Sequence, residues 1–594
     1  MEYHAAAQRA ARLMADKDFS SAASVYRRLM LETHVSDLEY DDWLRGLADA
    51  QQALNKPLDA GYVYLYLHYF DRAGDCFLRA KSPLDLALCH ESQKRHQQAA
   101  DIYRKEGRLA HAAASYECVK QFDTALQCWE ELATALDPRQ QRYLALLCKL
   151  NIINCLKLLG GDERRAKREL VEALVLLEQE AEERENTSRI DDALDCYQLM
   201  IQIGLEQASF ENLCEGYVNA IRILREQGRF LTALRYYAGI GEAGRKVGEH
   251  HAVATLYREA AEAANRAGLL YTTHYVKLAS EAWFDVSRRN AELGLAAELS
   301  ENALLAALDG YNQLDDSAAV LRCYEALAAL PIAPDRQRRY LSLAETARKE
   351  RRDPLGIYPP SEILRRGPRF QAIWRDDLLE WEVGDAYDAL FSRAIWDLGY
   401  HDTVRRRALN LVLHVLDDRE KRARSAEIEA ELAHSFAYMR PKVAHRGLLR
   451  LLQSPHQEVR NAVMRAAGSM RHVLGLDLLA AGLADKDSGV SSVALSTLAE
   501  QNFPEAFDTF RRIDSAEQDL AKRRVLVQSI GKLKVFEAAE YLYRLLVSGE
   551  PAELMPVLRE SLQGMLKPEW REILLARKRN ESSSAQQRLA FLGN

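Results

Sequence analysis

Apolar positions recur along this chain at intervals of three and four, with polar positions between them, and no convincing run alternates with period two. That spacing is the signature of one buried face on an α-helix, whereas a half-buried strand needs strict alternation. One arrangement returns many times near the front: an apolar residue, then Ala three positions on, then an aromatic four beyond that. It occurs at Phe19/Ala22/Tyr26, Phe70/Ala73/Phe77, Leu109/Ala112/Tyr116, Phe122/Ala125/Trp129, Ile190/Ala193/Tyr197 and Phe230/Ala233/Tyr237. His96/Ala99/Tyr103 is a copy with a polar first position. Such spacings put all three side chains on one helix face. The small Ala lets a neighbouring helix come close, and the aromatic fills the gap one turn later. The pattern predicts an all-α chain, an α-solenoid of stacked helical hairpins.

Between Ala99, Ala112 and Ala125 the step is 13 residues, room for one short helix and its turn. Further on, Gly228, Gly268 and Gly310 stand 40 and 42 apart, which predicts longer hairpins. Gly107-Arg108-Leu109-x-x-Ala112-x-x-x-Tyr116 and Gly228-Arg229-Phe230-x-x-Ala233-x-x-x-Tyr237 resemble the turn and second helix of tetratricopeptide repeats. The resemblance covers about residues 1–350, and it implies a fold rather than a function. The short pairs are also similar to the solenoids of vesicle-coat and transport-complex proteins. The longer ones are similar to those of the soluble-NSF-attachment type.

A break follows. Six of the 15 prolines fall between Pro331 and Pro368. Proline removes a backbone donor and pushes the residue before it out of the helical region, so no long helix crosses Ile357-Tyr358-Pro359-Pro360. Arginines crowd the same stretch, Arg365 and Arg366 among them. Beyond it the repeat changes. Asp402-Thr403-Val404-Arg405-Arg406-Arg407, Gln457-Glu458-Val459-Arg460 and Asp487-Ser488-Gly489-Val490 look like the opening of the second helix in HEAT repeats. Val459 and Val490 are 31 apart, a short HEAT step. The expected organisation is a tetratricopeptide-like solenoid over 1–351, a Pro/Arg-rich crossover over 352–369, HEAT-like repeats over 370–579, and a polar C-terminal tail over 580–594. The apolar tip Leu589-Ala590-Phe591-Leu592 is either a capping turn or a docking peptide.

Composition narrows the setting. Net charge is −7, so the chain has no general attraction for phosphate backbones or anionic membranes. No window approaches the uninterrupted apolar length of a membrane span, and Met1-Glu2-Tyr3-His4 lacks the plan of a signal peptide. The expectation is a cytoplasmic protein with no membrane insertion. Arginine outnumbers lysine and Ala and Leu abound, which suggests a bacterial source. Nine cysteines without a Cys-x-x-Cys pair read as buried free thiols.

No catalytic constellation emerges. Gly239-Ile240-Gly241-Glu242-Ala243-Gly244 fits the dinucleotide fingerprint in letters, yet helix precedes it where a strand is required, so chance or a loose inter-helix turn is the reading. His90-Glu91 has Lys94 where a zinc protease needs its second histidine, and the adjacent His250 and His251 point to different faces. Neither cofactor nor metal is expected. Partner-binding candidates are Arg405, Arg406 and Arg460 at the starts of HEAT-like helices, Arg365 and Arg366 at the crossover, and Trp374 with Trp381, seven apart on one helix face and joined by Trp396. For Arg405 and Arg460 the favoured role is a structural contact with the Asp of a neighbouring repeat.

The function expected from this shape is a non-enzymatic scaffold or adaptor, a recognition or regulatory subunit of a bacterial multi-component assembly. Its partner is a protein or peptide on the solenoid surface. One alternative is nucleic-acid binding through the basic crossover, against which the acidic balance argues. Another is an enzyme whose site is assembled between the two solenoids.

Overall fold

The computed structural model describes residues 2–30, 36–137, 140–160, 163–207, 210–349, 356–360, 362–368, 374–384, 409, 412–413, 425–437, 439–533 and 535–593. Among them every regular element is helical, and most successive helices of the hairpin stretches pack on one another, so the chain is an all-α repeat solenoid of stacked hairpins. None of these helices is long and apolar enough to cross a membrane.

The 13-residue step is wider than the three alanines suggested. Helices begin at Pro57, Phe70, Pro83, His96, Leu109 and Phe122, each 13 residues after the last. The first five are ten residues long. Each turn is closed by one residue in the left-handed region, and those residues also recur every 13: Asn55, His68, Lys81, Lys94, Gly107 and Lys120. A left-handed residue reverses the chain within three positions, which is why such short helices can follow one another without loops.

The repeated Ala and aromatic form the core of this run. Ala22, Ala73, Ala99, Ala112, Ala125, Ala193 and Ala233 are fully buried, and so are Phe77, Trp129 and Tyr237. The buried polar tips are satisfied in a regular way. Tyr103 donates to Glu91 at 3.0 Å, Trp129 Nε1 to Glu117 at 2.8 Å and Tyr197 to Glu185 at 2.6 Å, in each case a carboxylate 12 residues earlier. Tyr64 and Tyr116 reach Asp49 and Asp101, 15 residues earlier, at 2.9 and 2.8 Å. Later helices lengthen, as Phe230–Val247 and Thr272–Glu292 illustrate, in keeping with the wider glycine spacing.

The chain forms two compact units, each built from two separate stretches: 1–176 with 372–498, and 177–371 with 499–594. This division by contact does not coincide with the division by repeat type, because each unit combines hairpins from before the proline-rich segment with repeats from after it. The C-terminal tip packs in the second unit. Leu589 and Leu592 are buried, Arg588 holds the carbonyls of Leu546 and Val547, and Arg571 holds that of Leu592 at 3.0 Å. It forms a capping turn.

Candidate interaction surface

The two Gly-Arg-apolar turns singled out in the sequence carry a feature it did not reveal. The helices that follow, Leu109–Cys118 and Phe230–Val247, have no acidic residue in their first turn and no side-chain N-cap. Their leading N–H groups are therefore open acceptor-seeking donors at the positive end of a helix dipole. In the first unit Glu382 fills that place. Its carboxylate accepts from the N–H of Ala110 at 2.7 Å and of His111 at 3.0 Å, and lies 2.7 Å from His111 Nδ1. In the second unit Asp508 accepts from the N–H of Leu231 at 3.2 Å, at the same helix position as Ala110. A third carboxylate, Glu540, accepts from the N–H of Leu270 at 3.2 Å, just before the helix Thr272–Glu292, whose first turn also lacks an acid.

Neighbouring side chains lock these contacts. The helix Trp374–Val383 that supplies Glu382 is held by Arg440, which reaches Asp377 at 2.9 Å and Glu380 at 2.6 Å, while Tyr143 donates to Asp377 at 3.3 Å. Burial pushes Asp377 up, and Arg440 opposes it. In the second unit Arg235 pairs with Glu505 at 2.8 Å, Arg511 donates to the Ala267 carbonyl at 3.4 Å, and Arg544 and Arg577 hold Glu540 at 2.6 and 3.0 Å. Burial raises Asp508 to about 6 and raises Glu540 as well.

Of the residues expected to bind a partner, Arg460 and Trp381 lie in the first unit and Arg365 and Arg366 in the second. Arg460 is 3% exposed, and its guanidinium is engaged by Asp485 at 2.9 Å, by Asp487, and by the carbonyls of Ser454 and Pro455 at 2.8 and 3.2 Å. Arg523 repeats the arrangement with Asp514 at 3.1 Å and Glu550 at 2.8 Å. Asp487 and Glu550 both lie 27 residues after their arginine. Asp519 N-caps the Arg523 helix, Leu520–Lys532, accepting from the N–H of Ala521 and Lys522. Trp381 is 37% exposed in the first unit, next to the inserted Glu382, and Arg365 and Arg366 are exposed in the second. The Trp374 side chain, Trp396 and Arg405 to Arg407 lie outside the described residues.

The remaining motifs resolve into packing. Gly239, Gly241 and Gly244 lie inside the continuous helix Phe230–Val247, where a Cβ on Gly241 would stand 2.4 Å from the Tyr257 hydroxyl and one on Gly239 2.6 Å from that of Tyr217. Gly239 and Gly241 are notches for tyrosine rings, and Gly244 admits the Val253 and Phe210 side chains. Gly367 and Pro368 of the crossover lie against Gly239, so the same helix also seats the proline-rich segment. Glu91 serves Tyr103 and Ser115, and His251 packs edge-on against Trp283 with ring centroids 4.9 Å apart. Seven of the nine cysteines are buried as expected, whereas Cys214 is half-buried and Cys118 exposed, and none is in a disulfide; burial pushes Cys89 and Cys128 up to about 11, far from thiolate character at neutral pH. Among the described residues no group of three or more His, Cys, Asp or Glu is arranged to hold a metal ion.

No family model matches the chain, and no curated protein matches it. Solved structures do align. An engineered protein shares 14% identity, covering 62% of this chain and 98% of its own, with a TM-score of 0.19. The myosin chaperone UNC-45 from C. elegans, solved with a Hsp90 peptide, shares 13% identity over 99% of this chain and 68% of its own, TM-score 0.16. The APC/C hetero-tetramer Cut9–Hcn1 shares 13% over 82% and 95%, TM-score 0.15. The all-helical, tetratricopeptide-like repeat solenoid is carried by the chain's own periodicity and stacked helices.

Proposed function

We propose that the chain is a non-enzymatic protein–protein interaction scaffold or adaptor, a recognition or regulatory subunit of a bacterial multi-component assembly in the cytoplasm. One observation carries this reading: its repeat turns take up carboxylates presented by helices far away in sequence, Glu382 and Asp508 at equivalent N–H pairs. These internal contacts stiffen stacks of helices, and the surfaces that such stacks present suit a protein partner better than a small substrate. On the same reading the repeats after the crossover are HEAT-like, in view of the recurring arginine-to-acid contacts of Arg460 and Arg523. Repeat type then divides the chain at 1–351, 352–369, 370–579 and 580–594. Trp381, Arg365 and Arg366 remain the candidate contact residues on exposed surface.

The test is recovery of the tagged full chain from its native cell, followed by identification of what comes with it. Proteins of one assembly, retained after nuclease treatment, are the expected result. Recovery of nucleic acid with a steeply salt-dependent affinity would favour the basic-crossover alternative instead. Turnover by the purified chain alone would overturn the scaffold reading.

A further inference from the structure

One fully buried acid of the second unit, Glu537, takes no part in the carboxylate contacts above. Glu537 is 1% exposed, and neither carboxylate oxygen makes a well-formed hydrogen bond. It lines a narrow pocket together with Leu231, Thr232 and Arg235 from the hairpins and Glu505 from the later repeats. Arg235 does not neutralise it, since its Nη1 is given to Glu505 at 2.8 Å and its buried Nε lacks a partner. The other ionisable groups facing Glu537 are Tyr271 and Tyr275 from the hairpin side, Asp508 from the helix Ala506–Ala516, and Glu540 from its own helix Phe536–Ser548. The cations of the seam serve others. Arg544 and Arg577 hold Glu540, and Arg511 stacks on the Phe230 ring at 5.6 Å. Three carboxyls thus share one buried seam, and Glu537 has no cation. An ionised carboxylate in that position is costly, because it loses water and gains no opposite charge, only the weaker pull of its own N–H and the Tyr271 hydroxyl.

We propose that Glu537 is a proton-operated clasp: neutral, it lets the repeat helices of 506–548 seat on the hairpin turns at Leu231 and Leu270, and ionised, it loosens that seam. Titration supports the geometry. Burial raises Glu537 from the ordinary 4.5 to about 7, against the opposing pull of its own N–H and the Tyr271 hydroxyl, and the negative charges of Glu540 and Asp508 push the same way as burial. A carboxyl raised on closure binds its proton more tightly in the closed seam than in the open one. Closure is therefore favoured at low pH, weakens as pH climbs from about 4.5 to about 7, and levels off above. The seam would respond within the range where a cell's interior varies. This inference does not depend on what the scaffold binds.

Hydrogen–deuterium exchange on the full chain tests it, following peptides that contain Leu231 and Leu270, with rates corrected for intrinsic pH dependence. Protection there should fall about tenfold between pH about 6 and about 8. Peptides from the helix His96–Lys105 in the first unit should keep theirs. Glu537→Gln, a permanent mimic of the neutral acid, should hold protection high and flat across the range. An unchanging wild-type profile, an equal loss in both units, or an unaltered slope in Glu537→Gln would each overturn the proposal. Should that variant fail to fold, Glu537→Leu, equally uncharged, should also flatten the profile, and a wild-type slope kept in it would overturn the proposal, since Asp508 and Glu540 share the seam.

Discussion

Tyr103, Trp129 and Tyr197 each have two ends with different needs, and both are met by position. The ring of Tyr103, Trp129 or Tyr197 fills the space beside the small Ala of its motif, while its O–H or N–H reaches a carboxylate 12 residues back. Burying the polar tip without that acceptor costs on the order of 1–3 kcal/mol. The ring was legible from spacing alone, whereas the carboxylate was not, because acids are frequent on any solvated helix face. Arg460 is the sharper case. Nearly all of its surface is removed from water, and two aspartates and two carbonyls replace that water. Arg460→Ala strands Asp485 beside Asp487 and should lower stability by about 3 kcal/mol or more, read from urea unfolding. Arg460→Lys should recover only part of the loss, since an ammonium cannot fork between the two acids. Equal stability of all three proteins would refute this account.

At the level of helices, two kinds of glycine do different work. Gly107 and Gly228 reverse the chain with positive φ, whereas Gly239, Gly241 and Gly244 lie mid-helix and admit side chains from neighbours. Gly241→Ala places a methyl group against the buried Tyr257 and should cost about 1–3 kcal/mol through overpacking. The turn lysines offer the opposite experiment. Lys81 and Lys94 adopt φ of 54° and 60°, where a side chain is disfavoured. Lys94→Gly should leave the fold intact and raise the thermal midpoint slightly; a clear drop would show that the lysine side chain does more than turn the chain. Helices and hairpins were readable because periodicity is local. The caps were not, since an uncapped helix start such as Leu109 signals a missing carboxylate without saying which residue supplies it. Glu382→Gln keeps the shape and weakens the cap, so amide exchange at Ala110 and His111 should quicken several-fold.

At the largest scale, repeat type and physical unit part company. The resemblances expected from the sequence sort the chain into tetratricopeptide-like and proposed HEAT-like stretches, because each motif reports only on its immediate neighbours. Compactness follows long-range contacts, and these tie 177–371 to 499–594 and 1–176 to 372–498. Nothing in a motif announces that Asp508 belongs with Leu231, 277 residues away. A chain shortened to residues 1–498 would leave the N–H groups of Leu231 and Leu270 unanswered. It should lose protection over 228–273 while the helix His96–Lys105 keeps its own, by hydrogen exchange. Uniform behaviour across both regions would contradict the two-unit organisation.

The separation also sets an order of events during synthesis. Hairpins of the repeating run can close as soon as a pair emerges, since their contacts span a few dozen residues. The helix starts at Leu109 and Phe230 must wait for Glu382 and Asp508, by which time more than two hundred further residues have left the ribosome. For that interval each nascent unit presents unsealed apolar surface beside open backbone donors, a state in which chaperone engagement or mispairing between neighbouring chains competes with completion. Pausing translation shortly before Asp508 should therefore lower the yield of folded protein far more than pausing after Leu592.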